Sequence, residues 1–151
     1  MRRTPQIDTA LLALRLVTGL TMVMHGWQKL TGPGLGGVGD MFAGMGVPLA
    51  QVAGPVVMLI ELVGGVLLVL GLGTRVVGAV FALVMLGALF LVHLSAGFYA
   101  ADGGFELVLL LAALGAALAV AGPGAFSLDA VIAGRRAGTR TETHEGVHAA
   151  V

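Results

Sequence analysis

Apolar residues run through this chain in four long blocks, and most polar positions fall between them. The blocks are Thr9–Leu30, Gln51–Leu70, Val76–Val92 and Leu107–Phe126, the last broken near its end by Gly122, Pro123 and Gly124. None alternates with the period of a barrel strand. A helix needs about 20 apolar residues to cross a bilayer. In hydrocarbon only helices and closed barrels satisfy every backbone group, so the pattern predicts an all-α membrane protein, a bundle of four transmembrane helices.

The connections differ in character. Gly32, Pro33, Gly34, Gly36, Gly37 and Gly39 open the first loop, and glycine at this density is not expected to hold a helix. Within that loop Asp40–Met45 is expected to form one short interfacial turn, with Asp40 as its N-cap. Gly71–Arg75 reads as a tight turn, and Leu94–Gly104 joins the third and fourth helices. The transmembrane domain is thus expected over residues 9–130, between a short N-terminal segment at 1–8 and a polar, disordered tail at 131–151.

Composition agrees with the pattern. Of 151 residues, 58% are hydrophobic and 11% charged, against about a quarter charged in soluble domains. The formal net charge is zero, which leaves no argument for a nucleic-acid partner, and cysteine is absent, which excludes disulfides and thiolate metal sites within the chain. Met1-Arg2-Arg3 resembles the start of a signal peptide, but the apolar stretch after it is too long and ends at Lys29 without a small-residue cleavage site, so a retained helix is expected. Arg2, Arg3, Arg75, Arg135, Arg136 and Arg140 fall on one side of the bundle and only Lys29 on the other. By the positive-inside rule both termini are then cytoplasmic.

Against this apolar background the ionisable residues within or beside the spans stand out: Arg15, His25, Lys29, Glu61, His93 and Glu106. A charge at a helix centre costs roughly 2.5–3.5 kcal/mol on insertion scales. At about 100° per residue, Arg15, His25 and Lys29 fall within roughly an 80° arc, and Lys29 is one turn beyond His25. Glu61 shares a face with Gly54, Gly65 and Leu68, His93 with Ala82 and Leu86, and Glu106 with Ala113 and Ala117. Small residues on such faces let helices approach closely. The expectation is an inward polar cluster of His25, Lys29, Glu61, His93 and Glu106, with Arg15 and Arg75 as flanking structural charges. Arg15 is expected to snorkel or to pair with Asp8. The alternatives are snorkelling for Lys29, interfacial exposure for His93 and Glu106, and a purely structural cluster. No metal is expected, because the Glu-x-x-His spacing of di-iron bundles is missing. The glycine run lacks a P-loop Lys-Ser/Thr, and His144 and His148 read as solvated tail residues.

Four stretches resemble the DoxX family of small bacterial membrane proteins. They are Leu14–Gly19 with His25-Gly26-Trp27-Gln28-Lys29-Leu30, Glu61–Gly65 running through Leu70–Arg75, His93 with Gly97-Phe98 and Gly103–Glu106, and Gly122-Pro123-Gly124-Ala125-Phe126-Ser127-Leu128-Asp129. The resemblance implies a four-helix protein of the bacterial inner membrane with Arg15, His25, Lys29, Glu61, Arg75, His93 and Glu106 at the family's polar positions. It also implies, at most, a membrane subunit of an oxidoreductase complex that is quinone-linked. No haem- or flavin-binding feature is evident, so electrons would come from a soluble oxidoreductase partner. A non-catalytic scaffold or assembly protein is the alternative. A small transporter is a third reading, and it would require a homo-oligomer.

Overall fold

The protein, seen here as a computed structural model that describes residues 4–135, is helical, with no strand among the described residues. Helix α1 spans Pro5–Thr31. Pro5 occupies the first turn, where its missing N–H costs nothing, Asp8 sits toward the positive end of the helix dipole and Lys29 toward the negative end. At about 1.5 Å per residue α1 is about 40 Å long, more than the roughly 30 Å of hydrocarbon it must cross.

The glycine-rich segment corrects the sequence reading. Gly34–Gly44 is a helix, α2, and Asp40 lies inside it rather than capping a short turn. Each glycine costs about 1 kcal/mol of helix propensity, but the loss is offset by close packing on the next helix. An added Cβ at Gly54 would lie 2.7 Å from the Val38 carbonyl oxygen, and one at Gly39 would lie 2.9 Å from the Cα of Gln51. Gln51 Nε2 also donates to Asp40 Oδ1 at 2.7 Å.

Helix α3 spans Ala50–Leu70 and α4 spans Thr74–Ala96. Each contains one π-helical turn, Ile60–Gly64 in α3 and Leu89–His93 in α4. Such turns insert a residue into the helical register and often mark functional positions. The two helices are joined through Gly71 and Gly73, with φ of +70° and +61°. Any side chain at Gly71 would also meet the Arg15 guanidinium and the Cβ of Ser127.

Helix α5 spans Glu106–Ala121 and stops short of the expected Phe126, because Gly122 turns the chain with φ +80° and Pro123 follows. The chain re-enters helix at 128–135, called α6, so the first five residues of the expected polar tail are helical; 136–151 lie outside the described residues. Among the described residues three helices, α1, α3 and α4, are long and apolar enough to cross a membrane, and α5 is apolar but shorter. The result is a helical membrane bundle.

Two glycine-mediated pairs build it. Gly19 and Gly65 each face the other's carbonyl oxygen, at 2.7 Å from where a Cβ would stand, and bring α1 onto α3. Gly78 and Gly115 do the same between α4 and α5. Between the pairs lies a core of Met22, Leu68, Phe81, Met85, Leu111 and Leu118. Large apolar residues such as Val17, Val76, Leu83, Phe90 and Val120 are exposed, and in a bilayer they face acyl chains.

One end of the bundle is stitched by charged side chains to backbone groups. Arg15 is fully buried at 0% exposure, and donates from Nη1 to the Leu68 carbonyl at 3.3 Å and from Nη2 to that of Phe126. It therefore neither snorkels nor pairs with Asp8, whose Oδ1 accepts from Ala125 N at 2.9 Å. Arg75 donates to the carbonyls of Ala119 and Val120 at 3.1 and 2.6 Å, at the C-terminus of α5. Asp129 accepts from the Gly73 and Thr74 amides at 3.0 and 3.3 Å, at the N-terminus of α4. Arg75 and Asp129 thus each meet the helix end of opposite partial charge.

Candidate functional site

The opposite end carries the candidate site. Glu61 lies in the π turn of α3 and is buried at 3% exposure. Small residues admit α1 beside it: a Cβ at Gly26 would stand 3.0 Å from the Cβ of Glu61 and closer still to Leu62. This approach brings Lys29 Nζ within 2.7 Å of each Glu61 carboxylate oxygen. The side chains are 17% and 5% exposed, so the pair is largely withdrawn from solvent. Removing one partner of a buried pair strands an uncompensated charge.

His25 and His93 join this pair around one cavity of about 770 Å³. His25 stands one turn before Lys29 on α1. His93 ends the π turn of α4, and its Nδ1 is 2.7 Å from the Gly103 carbonyl oxygen. The rest of the wall is mainly apolar, with Met22, Met41, Phe42, Met85, Leu107 and Leu111 among its side chains. The structure thus brings together four of the five residues expected to converge.

Glu106 is the exception. It is exposed and does not line the cavity; its Oε2 accepts from the Ala100 amide at 3.0 Å and holds the short helical turn Ala100–Asp102. Ala113 and Ala117, which share its face, are exposed too, whereas Leu111, Ala112, Gly115 and Leu118 form the buried face of α5. The shared face expected for His93 also fails. Leu86 is exposed while His93 is part-buried on the cavity, because the π turn between them shifts the register. Arg15 and Arg75 stand at the other end of the bundle.

Helix α2 adds wall residues that the sequence reading missed. Met41 and Phe42 of α2, and Met45 just beyond it, line the cavity, although the stretch was expected only as a short interfacial turn. Their spacing of one and four residues is a helical stripe, and that was the signal that glycine content obscured. Among the described residues no group of three or more His, Asp or Glu is placed to hold a metal ion. Chemically the cavity offers an ammonium–carboxylate pair and two imidazoles against an apolar wall. That set can bind a ring oxygen and exchange protons with it.

Comparison with known proteins agrees with this architecture. The DoxX family profile matches residues 10–94. A Bacillus subtilis (strain 168) protein described as "Putative oxidoreductase CatD" is 38% identical over 118 residues, covering 78% of this chain and 83% of the relative. A Mycobacterium tuberculosis (strain H37Rv) protein described as "Uncharacterized membrane protein Rv3486" is 33% identical over 132 residues, covering 80% of this chain and 79% of the relative. No solved structure matches the chain. With the profile covering more than half of its length, this membrane protein belongs to the DoxX family.

Proposed function

We propose that the chain is the membrane subunit of a redox complex, and that the cavity beside His25, Lys29, Glu61 and His93 receives the ring of a lipid-soluble quinone. One observation carries the reading: a cavity of about 770 Å³ in an apolar bundle, with its charged and imidazole groups gathered on a wall of methionine, leucine and phenylalanine. Ligand pockets commonly enclose about 300–1,000 Å³ and combine apolar walls with a few convergent polar groups. The oxidoreductase description of the Bacillus relative points in the same direction.

Reducing a quinone to its hydroquinone takes two electrons and two protons. In this reading a soluble oxidoreductase partner supplies the electrons. His25 and His93 exchange protons with the ring oxygens, and the Lys29 ammonium stabilises negative charge on one of them. Glu61 keeps that ammonium in place. The end bearing Arg75 and Arg135 is assigned to the cytoplasm together with both termini, so the cavity sits in the outer half of the membrane and the partner approaches from that face.

The test is a titration of the purified protein in lipid nanodiscs with decyl-ubiquinone and with decyl-ubiquinol. Saturable binding of at least one form, weakened in Glu61→Gln and His93→Ala, is expected. Binding of neither form, or binding unchanged in both variants, removes the site. The closed Lys29–Glu61 pair also favours a second reading, a scaffold in which the pair only locks α1 to α3. That reading forecasts lower thermal stability in the same variants, with unchanged partner activity per folded molecule.

A further inference from the structure

The hydrogen-bond inventory of the cavity goes further than its size. The Nδ1 atom of His93 lies 2.7 Å from the carbonyl oxygen of Gly103. A carbonyl oxygen has no hydrogen to give, so Nδ1 must carry the proton of that bond. In the neutral ring the other nitrogen, Nε2, is then a bare acceptor. The loop that carries this acceptor is held in place by hydrogen bonds: the amides of Gly103, Gly104 and Phe105 donate to the carbonyls of Ala100, Tyr99 and Gly97. Phe98 packs edge-to-face on Tyr99 and Phe105 in the same loop.

Lys29 presents the opposite chemistry. Two of its three N–H bonds point at the Glu61 oxygens, and an ammonium can only donate. Each Glu61 oxygen already accepts one of those bonds, and the side chain is 5% exposed. The cavity wall therefore carries an ammonium donor on α1 and an imidazole acceptor on α4, with His25 as the remaining titratable group on it.

We propose, resting on the quinone reading above, that this cavity is selective for the reduced form of its ligand, a hydroquinone or related phenol. One ring hydroxyl donates to His93 Nε2, and the other ring oxygen accepts from Lys29. A quinone has two acceptor oxygens and no donor. It satisfies Lys29 but sets an oxygen lone pair against the lone pair of His93 Nε2. Sites built to bond a ligand hydroxyl reject analogues that lack it, because their own polar group is left unpaired.

The experiment compares decyl-ubiquinol, decyl-ubiquinone and the dimethyl ether of the quinol, titrated anaerobically into nanodiscs. The ether keeps the ring shape and loses both hydroxyl donors. The quinol is expected to bind at least about tenfold tighter than either, the effect of roughly one hydrogen bond. In His93→Asn the amide nitrogen can still reach Gly103 as Nδ1 does, but nothing replaces Nε2. The preference should fall below about threefold there, because quinol affinity drops toward that of the quinone. In His93→Gln, whose amide can stand in for Nε2, part of the preference should return. Equal affinity for quinol and quinone in the unaltered protein overturns the proposal while leaving the quinone site standing. So does a tenfold preference that survives in His93→Asn. Failure of all three probes to bind overturns the quinone reading, and this proposal with it.

Discussion

The ammonium of Lys29 lies 2.7 Å from both carboxylate oxygens of Glu61, across the interface of α1 and α3 and 32 residues apart in the chain. The contact depends on the close approach at Gly26 and on the π turn that carries Glu61. Its charges cancel locally, which is how an apolar bundle tolerates them.

The first prediction concerns that pair. Lys29→Met and Glu61→Leu should each destabilise the bundle by about 3–5 kcal/mol, since each leaves one buried charge alone. The double variant should be less destabilised than the sum of the two. A double-mutant cycle of unfolding in mixed micelles measures the coupling, and additivity within about 0.5 kcal/mol would show that the pair does not interact.

A second prediction concerns Arg15. Its two guanidinium nitrogens bridge the end of α3, at Leu68, and the return segment, at Phe126. Lysine carries the charge but lacks the planar fork that serves both carbonyls. Arg15→Lys should therefore lower stability by about 1.5–3 kcal/mol, the worth of one hydrogen bond to a charged group. Thermal unfolding in detergent, together with unchanged quinone-analogue binding, is the measurement. A variant as stable as the parent would refute the bridging role.

What could be read in advance followed from what is local. Block lengths located the spans to within a few residues, because the cost of exposing backbone to lipid depends on nothing distant. Arg75 could be placed at a helix end for the same reason. Arg15 could not be partnered, since its carbonyl acceptors lie 53 and 111 residues away. His93 was expected on the face of Leu86, and the extra residue of the π turn moved it to another. Glu106 was expected to point inward on its charge and on the small residues of its face, but Ala113 and Ala117 are exposed, and small residues alone do not say which face meets a neighbour. Helix α2 was hidden because glycine propensity in water says little about a helix that gains its stability from contact with Gln51 and Gly54.

A third prediction tests glycine packing. A Cβ at Gly78 would sit 2.7 Å from the Gly115 carbonyl oxygen, and one at Gly115 would sit 2.9 Å from that of Gly78. Both obstacles are backbone and cannot rotate aside. Gly78→Val should separate α4 from α5 and cost about 1–3 kcal/mol or more. Gly87→Val, at a position with open space around it, should cost much less. Comparable losses in the two variants would mean that helix propensity, not interhelical contact, sets the sensitivity.

The last prediction separates the cavity from the polar residues near it. Glu61 and Glu106 are both carboxylates on the side of the bundle where α1 ends, but only Glu61 lines the cavity; Glu106 caps the loop at Ala100. If ligand affinity comes from the Lys29–Glu61 arrangement, Glu61→Gln should weaken quinone-analogue binding about tenfold, through loss of the charge that positions the Lys29 ammonium. Glu106→Gln should change it less than about twofold, because the amide oxygen can still accept from Ala100 N. Equal losses in both variants, read by isothermal titration in nanodiscs, would mean that ligand affinity follows the general field of the acidic groups. Equal retention would remove Glu61 from the site. Only the asymmetric result is consistent with an ammonium held in place by one particular carboxylate.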